Sequence, residues 1–229
     1  MPTVDGEEST GRFPEAIWLL AAHSTLKQQV INLDGVTLEV GPQVLSPALT
    51  STSSFFLKHL RHLITGGSVF EVGVGSGYLV VGLGMDNPRL RLAGSDINPS
   101  AVQLARRNLA MNMVDAQVYH ADLFDGLPPG YLYDTVIFNP PLLHANPQTD
   151  LERALYDPGG ATFRRFLEAL PARLNAAGCA YVLYSDRNFG SYSAHDFLME
   201  LTDRLAITTS REAVLDRIFE VYTLWKLTV

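Results

Sequence analysis

Four short polar segments of this 229-residue chain carry side chains suited to binding and orienting a small molecule. Each segment follows a run of apolar residues that predicts a buried strand. The residues that mark them are Glu71, Asp96, Asp122 and Asn139. In an open α/β sheet, the carboxyl ends of the parallel strands form one crevice, and ligands bind there. The spacing therefore predicts that these four residues line a single site.

The first segment is a glycine loop that runs from Glu71 to Tyr78. Its glycines, Gly73, Gly75 and Gly77, let the chain turn sharply and let a ligand approach the backbone closely. A dinucleotide-binding loop would carry glycine at position 78, where this chain has tyrosine, so the NAD pattern fails. A tight turn without a ligand also needs glycine, and the loop alone therefore leaves its ligand open.

Two aspartates follow later strands. Asp96 ends a predicted strand, and a carboxylate at that place can accept hydrogen bonds from both hydroxyls of a ribose. This supports a nucleoside ligand without distinguishing NAD from other nucleoside cofactors. Asp122 follows the next predicted strand, and a simple turn or helix cap is the alternative to a ligand contact.

The segment Asn139-Pro140-Pro141-Leu142 gives the sharpest chemical signal. Consecutive prolines cannot continue a sheet because proline donates no ladder hydrogen bond, so they form a rigid turn with free carbonyls. A substrate –NH₂ group can donate one N–H to the Asn139 side-chain oxygen and the other to the Pro140 carbonyl. The nitrogen lone pair is then turned toward an electrophile. The contribution is alignment and electrostatics rather than a strong base.

The glycine loop and the Asn-Pro-Pro segment together resemble two motifs of class I S-adenosylmethionine-dependent methyltransferases of the small-domain type. The likeness covers roughly residues 44–190 and is nearest to release-factor glutamine N5-methyltransferases and rRNA guanine-N2 methyltransferases. Their second motif reads (Asp/Asn)-Pro-Pro-(Tyr/Phe/Trp), and this chain departs from it at Leu142. The missing aromatic removes a stacking surface, which argues against a nucleobase as the substrate more than against a smaller amide or amine.

The resemblance implies S-adenosylmethionine as the cofactor and a role for each motif residue. The residues expected to bind the cofactor are Glu71, Gly73, Gly75, Gly77, Asp96, Asp122, Leu123 and Asn139. The catalytic residues are expected to be Asn139 and Pro140, and the substrate-binding residues Pro141, Leu142 and His144. His144 could take up a proton, with a surface histidine as the alternative. The implied reaction is methylation of an amide or amino nitrogen in a protein, glutamine-like, or in a nucleobase.

Three other functions stay open at this point. A methyltransferase acting on a small metabolite is favoured by Leu142 and by the lack of an obvious substrate-recognition domain. An NAD(P)-dependent oxidoreductase is opposed by Tyr78 and by the Asn-Pro-Pro segment. A non-catalytic nucleotide-binding module with the same fold is opposed by the intact Asn139.

Composition restricts the partners. The net charge of −7 argues against a protein that relies on broad phosphate contacts, so a protein or small-molecule substrate is favoured over nucleic acid. The pairs Arg106-Arg107 and Arg164-Arg165 are predicted to be solvated helix faces. No apolar run is long enough for a transmembrane helix, and a cytoplasmic location is the default. The histidines show no metal-ligand spacing, so no metal is expected, and the oligomeric state is left open.

Strict alternation of strands and helices begins at residue 68 and predicts a mainly parallel sheet with helices on both faces. The predicted strands are 68–72, 91–95, 116–120, 134–138 and 179–184, and the predicted helices are about 77–85, 99–112, 161–176 and 194–204. Two final strands, near 206–213 and 218–227, are joined by a short turn around 215–217 and must therefore be antiparallel.

The predicted fold class is a doubly wound, seven-stranded, Rossmann-like α/β domain at residues 44–229, and its first helix is expected at 51–63. Residues 1–43 are predicted to be an N-terminal extension. Its parts are a loose tail, a short helix at about 14–23, and a hairpin whose strands 29–33 and 36–40 meet at Asp34-Gly35.

Overall fold

The computed structural model describes residues 14–128, 130–185, 188–189, 192–217 and 220–229, so the predicted tail lies outside the described residues. The helices are α1 (Pro14–Thr25), α2 (Ser51–Leu63), α3 (Tyr78–Asp86), α4 (Pro99–Met111), α5 (Asp150–Arg153), α6 (Ala161–Ala169) and α7 (Ala194–Arg204). The strands are β1 (Gln29–Leu33), β2 (Val36–Val40), β3 (Ser68–Val72), β4 (Arg91–Asp96), β5 (Ala116–His120), β6 (Tyr133–Phe138), β7 (Leu174–Ser185), β8 (Asn188–Phe189), β9 (Tyr192–Ser193), β10 (Thr208–Arg217) and β11 (Glu220–Thr228). None of the helices within these ranges has the length and apolar character to cross a membrane.

Seven of the described strands form one sheet in the order β10-β11-β7-β6-β3-β4-β5. The strands from β7 to β5 pair in parallel, whereas β11 lies antiparallel between β7 and β10. The chain runs outward from β3 to β5 and then returns to place β6 on the other side of β3. This reversal leaves a crevice at the carboxyl ends of β3 and β6, where doubly wound sheets bind ligands. The predicted seven-stranded, mainly parallel fold is confirmed.

Apolar layers cover both faces of the sheet because side chains alternate along each strand. Val69 and Ile137 point into the layer formed with α2, α3 and α4. Phe70 and Phe138 point into the opposite layer, formed with α6 and α7. Each fully buried side chain of this size contributes about 1.5–3 kcal/mol. The strands are thus held on both faces, and the loops at their carboxyl ends are held with them.

Predicted element ends are wrong in two regions of the chain. The helix predicted at 161–176 ends at Ala169, because Pro171 cannot donate to the helical ladder, and a 3₁₀ turn leads to β7 at Leu174 instead of 179. At the C-terminal side, residues 215–217 belong to β10 rather than to a turn. The antiparallel pairing of the last two strands is as predicted.

The hairpin of β1 and β2 packs onto the helical layer. Val36 and Leu38 are fully buried in the same apolar core as α2, α3 and α4. At the hairpin turn, the Tyr78 hydroxyl donates a hydrogen bond of 2.6 Å to the Asp34 carboxylate. A tyrosine therefore has a structural task at the position where an NAD loop would carry glycine. The predicted domain boundary between residues 43 and 44 stays a prediction.

The free energy of unfolding of the variant Tyr78→Phe is expected to be lower by about 1 kcal/mol, which is less than usual for a bond to a charged group because Asp34 is exposed. The bond from Tyr78 is the main reason that the pKa of Asp34 lies below its ordinary value. The bond therefore stabilises the folded protein at pH values above the pKa of Asp34 in the unfolded chain. This stabilisation is lost as the pH falls through the lower pKa that Asp34 has in the folded protein. Urea unfolding of both proteins at neutral and acidic pH tests this, and a difference that is equal at both pH values would contradict it.

Candidate active site

A cavity of about 1090 Å³ opens at the carboxyl ends of β3, β4 and β6. Small-molecule sites usually measure roughly 300–1,000 Å³, so this cavity has room for a cofactor and part of a second molecule. The predicted site residues that line it are Glu71, Gly73, Gly75, Asp96, Asp122, Leu123, Asn139, Pro140, Pro141 and Leu142. Gly77 and His144 are not among the lining residues. The structure thus brings all four polar segments to one cavity, as the spacing predicts.

The glycine loop enters α3 through left-handed backbone conformations. Gly75 has a φ of +53°, and a Cβ built on it would meet no atom within 4 Å, so bare backbone faces open cavity space. Gly77 has a φ of +81°, and a Cβ there would lie 3.2 Å from Ala105 of α4. Gly75 therefore shapes the cavity wall, whereas Gly77 allows α3 and α4 to pack closely.

Two carboxyl groups flank this loop. Asp96 accepts hydrogen bonds from the backbone N–H groups of Gly75 (2.8 Å) and Asn98 (2.9 Å). A carboxylate has about four acceptor positions, so ligand hydroxyls can still bind it. Glu71 is only 4 % exposed and accepts a bond of 3.3 Å from the Val80 N–H. Burial raises the pKa of both carboxyl groups, that of Glu71 well above its ordinary value.

The loop after β5 presents Asp122 and Leu123. Asp122 accepts a hydrogen bond of 2.9 Å from Arg165 of α6, and the same guanidinium bonds Asp125 at 3.0 Å. Arg165 is exposed, as predicted for a solvated helix face, and it also lines the cavity. Leu123 has a φ of +54°, and its carbonyl accepts a hydrogen bond of 2.5 Å from buried Ser95. Arg165 and Ser95 therefore fix this loop from two sides.

Asn139 follows the last residue of β6, and its side chain is exposed at the cavity. Among the described residues, no group forms a hydrogen bond with that side chain. The backbone beyond the motif is held in place, because the N–H groups of Leu142 and Leu143 both donate to the Leu155 carbonyl, at 3.2 and 2.9 Å. Asn139 thus offers an amide from a rigid position to whatever enters the cavity.

Helix α1 lies against the same cavity. Ala16 packs with Leu143 and Leu155 of the loop after β6. Near the end of the helix, the ring Nε2 of His23 accepts a hydrogen bond of 3.0 Å from the Ser46 N–H. His23 is almost fully buried, and burial lowers its pKa, which favours the neutral ring that this bond requires. An apolar contact and a polar contact therefore anchor α1 to two walls of the cavity.

His144, in the segment after the motif, does not line the cavity. Leu143 pairs with the backbone of residues 155–157, and His144 next to it is half-buried, with its pKa lowered by burial. Asp157 accepts hydrogen bonds from the N–H groups of Thr162 (2.8 Å) and Phe163 (3.0 Å), so this stretch starts α6. A substrate contact by His144 stays a prediction that its position does not support.

A buried asparagine, missed by sequence reasoning, connects the hairpin to the glycine loop. The Asn108 side chain accepts from the Glu39 N–H (2.7 Å) and donates to the carbonyls of Glu39 (3.0 Å) and Ser76 (2.8 Å). Arg107 forms two further bonds, of 3.1 and 2.9 Å, with the Glu39 carboxylate. The available signal was a polar residue at core spacing from Leu104 on the buried face of α4.

Comparison with known proteins adds a family and a fold. The model of the methyltransferase small domain matches residues 38–180. A putative protein N5-glutamine methyltransferase of Methanocaldococcus jannaschii is 31 % identical over 163 residues, which is 68 % of this chain and 79 % of that protein. The ribosomal RNA small subunit methyltransferase C of Escherichia coli is 32 % identical over 123 residues, which is 54 % of this chain but only 35 % of that protein.

Solved structures resemble the fold at low sequence identity. A T. thermophilus 16S rRNA N2 methyltransferase in complex with AdoMet and guanosine has a TM-score of 0.63 at 19 % identity, over 88 % of this chain and 50 % of that chain. A methyltransferase from Pyrococcus furiosus has a TM-score of 0.61 at 14 % identity, over 93 % and 95 %. These likenesses support the Rossmann-like fold assigned above.

Proposed function

Because the chain belongs to the methyltransferase small-domain family, we propose that it methylates the carboxamide nitrogen of a glutamine side chain in a protein. As a member of that family it is an S-adenosylmethionine-dependent, nitrogen-directed methyltransferase. The observation that carries the choice of acceptor atom is Asn139, whose amide faces the cavity without a partner among the described residues. The glutamine side chain, the cofactor contacts and the role of each site residue are parts of the proposal.

The hydrogen-bond acceptors that line the cavity, and the shape of the cavity, suit S-adenosylmethionine. The cofactor carries an ammonium group, a sulfonium, two ribose hydroxyls and an adenine amino group, all of which seek acceptors or negative charge. Glu71 would hold the methionine end, Asp96 the ribose, and Asp122 the adenine amino group. At Gly75 the bare backbone leaves space that any Cβ would fill. When bound, the cofactor supplies an electrophilic methyl group.

Asn139 and Pro140 orient the acceptor. The carboxamide –NH₂ donates one N–H to the Asn139 side-chain oxygen and the other to the Pro140 carbonyl. Both N–H bonds are then fixed in one plane by the protein, and the nitrogen lone pair, which lies perpendicular to that plane, is free to face the methyl group. An amide nitrogen is planar and a weak nucleophile. Asn139 and Pro140 therefore contribute the alignment of this nitrogen and the partial negative charge of their two carbonyl oxygen atoms.

Three observations favour a protein amide over a nucleobase. Leu142 offers no aromatic ring for stacking, and a net charge of −7 leaves little surface for phosphates. The relative with a glutamine methyltransferase name is matched over 79 % of its length, whereas the rRNA enzyme is matched over 35 %.

Methyl transfer into separated cell fractions tests the acceptor. The protein is incubated with methyl-labelled S-adenosylmethionine and either the protein fraction or the RNA fraction of its source cell. We expect label in protein, released on digestion as methylated glutamine and located by mass spectrometry. Label that enters only RNA would overturn the glutamine proposal, and calorimetry that shows no cofactor binding would overturn the cofactor assignment.

Cofactor binding is expected to strengthen as the pH rises. Burial raises the pKa of Glu71 well above its ordinary value of 4.5. In the cofactor-free protein, Glu71 therefore holds its proton more tightly than a glutamate in water does. A cationic ligand beside Glu71 favours the carboxylate and lowers this pKa, and binding therefore releases a proton. Affinity should rise between the bound and the free pKa and be constant above it. Calorimetry in buffers of different ionisation enthalpy measures the release, which should disappear in Glu71→Gln; an unchanged release would contradict the assignment.

The adjacent residues Arg164 and Arg165 provide a matched pair. Arg165→Ala is expected to weaken cofactor binding about three- to fivefold, because Asp122 loses the charge-assisted bond that orients it, a bond worth about 1 kcal/mol when half exposed. Arg164→Ala serves as the control, since Arg164 lies over the Phe197 ring instead. Equal cofactor affinities of the two variants by calorimetry would contradict a positioning role for Arg165.

A further inference from the structure

Trp18 of α1 is a large aromatic side chain that lines the cavity yet stays 59 % exposed. The face of α1 that packs on the protein carries Ala16, Leu19, Leu20 and His23, at the three-to-four spacing of a helix. Trp18 lies off this face and is not part of the apolar cluster that holds α1 among the described residues. Packing of the helix therefore does not account for an indole at this position.

The helix that carries Trp18 is fixed beside the acceptor motif. Ala16, two residues before Trp18, packs with Leu143, and Leu143 directly follows Leu142. Two backbone bonds to the Leu155 carbonyl hold that stretch in place. Trp18, Leu142 and Asn139 line the same cavity. The indole is thus carried into the cavity by a helix that packs against the end of the motif, and position 142 itself carries no aromatic ring.

We propose that Trp18 packs against the planar group that Asn139 orients and so supplies the aromatic surface that Leu142 lacks. The inference rests on the proposed function in one respect, namely that the acceptor group is planar. An indole face restricts a planar amide or ring to one plane, which is the restriction that two hydrogen bonds to Asn139 and Pro140 require. Binding of the acceptor in the cavity would also remove the exposed indole from water. Tryptophan is among the residues that contribute most to the binding energy at protein interfaces.

Methyl transfer by Trp18 variants tests the assignment. Trp18→Ala and Trp18→Phe are compared with Ile17→Ala, a control on the same helix whose side chain is exposed but does not line the cavity. With the cell fraction that the wild type labels, Trp18→Ala should need about tenfold more acceptor for half-maximal rate, a loss of the size of one aromatic contact. Its maximal rate and its cofactor affinity should stay within about twofold. Trp18→Phe should recover most of the loss, and Ile17→Ala should equal the wild type.

Fluorescence provides a second readout, because the chain has two tryptophans, Trp18 and Trp225. In a Trp225→Phe background, S-adenosylhomocysteine alone should leave Trp18 accessible to acrylamide, and millimolar N-acetylglutamine methylamide added to that complex should protect it. Protection by S-adenosylhomocysteine alone would place Trp18 over the cofactor and overturn the inference. An unchanged acceptor requirement in Trp18→Ala would also overturn it. If the wild type labels neither fraction, the proposed function fails and the inference fails with it.

Discussion

The variant Asn139→Ala is expected to lose methyl transfer by about 10³-fold, while its affinity for S-adenosylmethionine stays within a few-fold of the wild type. Removing one positioned polar group from a reacting centre typically costs about 10²–10³ in rate, and here the same group also sets the orientation of the nucleophile. The fold should not suffer, because no described residue uses the Asn139 side chain as a hydrogen-bond partner. Rate at saturating acceptor, calorimetry with the cofactor and thermal unfolding separate these three effects.

Asn139→Asp is the matched control for the acceptor role. A carboxylate accepts hydrogen bonds from an –NH₂ group as an amide oxygen does, and it fills nearly the same volume. We therefore expect Asn139→Asp to keep at least about a tenth of the wild-type rate, whereas Asn139→Ala loses nearly all of it. If Asn139→Ala keeps most of the wild-type rate, or if both variants lose it equally, the hydrogen-bonded acceptor mechanism is wrong.

The strand ends that build the site could be predicted because their signals are local. Apolar runs bounded by glycine, proline or acidic residues place β3, β5 and the two hairpin strands at their observed bounds. The carboxyl-end rule then converts four sequence positions into one cavity without any knowledge of distances. The rule works because parallel strands share one direction, which the strand–helix alternation already fixes.

The contacts that hold the site together were beyond such reasoning. Arg165 meets Asp122 across 43 residues of sequence, and no local pattern encodes that pairing. His144 shows the opposite limit of local reasoning. It is close to the motif in sequence, but the backbone of Leu143 pairs with residues 155–157, and His144 is not among the residues that line the cavity. Helix α6 was overestimated because alanine and asparagine around 172–177 permit a helix, whereas Pro171 and pairing with β6 decide for a strand.

Asn108 of α4 connects β2, which belongs to the predicted N-terminal extension, with the glycine loop of the predicted domain. Its side chain satisfies both backbone groups of Glu39 in β2 and the carbonyl of Ser76 in the glycine loop, and it is fully buried. An alanine at this position would remove the partner of three backbone groups, of which the Ser76 carbonyl is bonded in the buried interior and the two groups of Glu39 are partly buried. Each such group costs about 1–3 kcal/mol.

Asn108→Ala is therefore expected to lower the free energy of unfolding by about 3–5 kcal/mol, or the melting temperature by roughly 10 °C. Asn112→Ala is the matched control, four residues later on the same helix, because its side chain holds one hairpin carbonyl, that of Thr37, at 2.7 Å; we expect a loss of about 1 kcal/mol there. If residues 1–43 were an independent extension, Asn108→Ala would release the hairpin and leave cofactor affinity intact. Because the Ser76 carbonyl is lost as a partner too, we expect hydrogen exchange to rise in the hairpin and the glycine loop together, with weaker cofactor binding. Faster exchange confined to β1 and β2 would contradict this coupling.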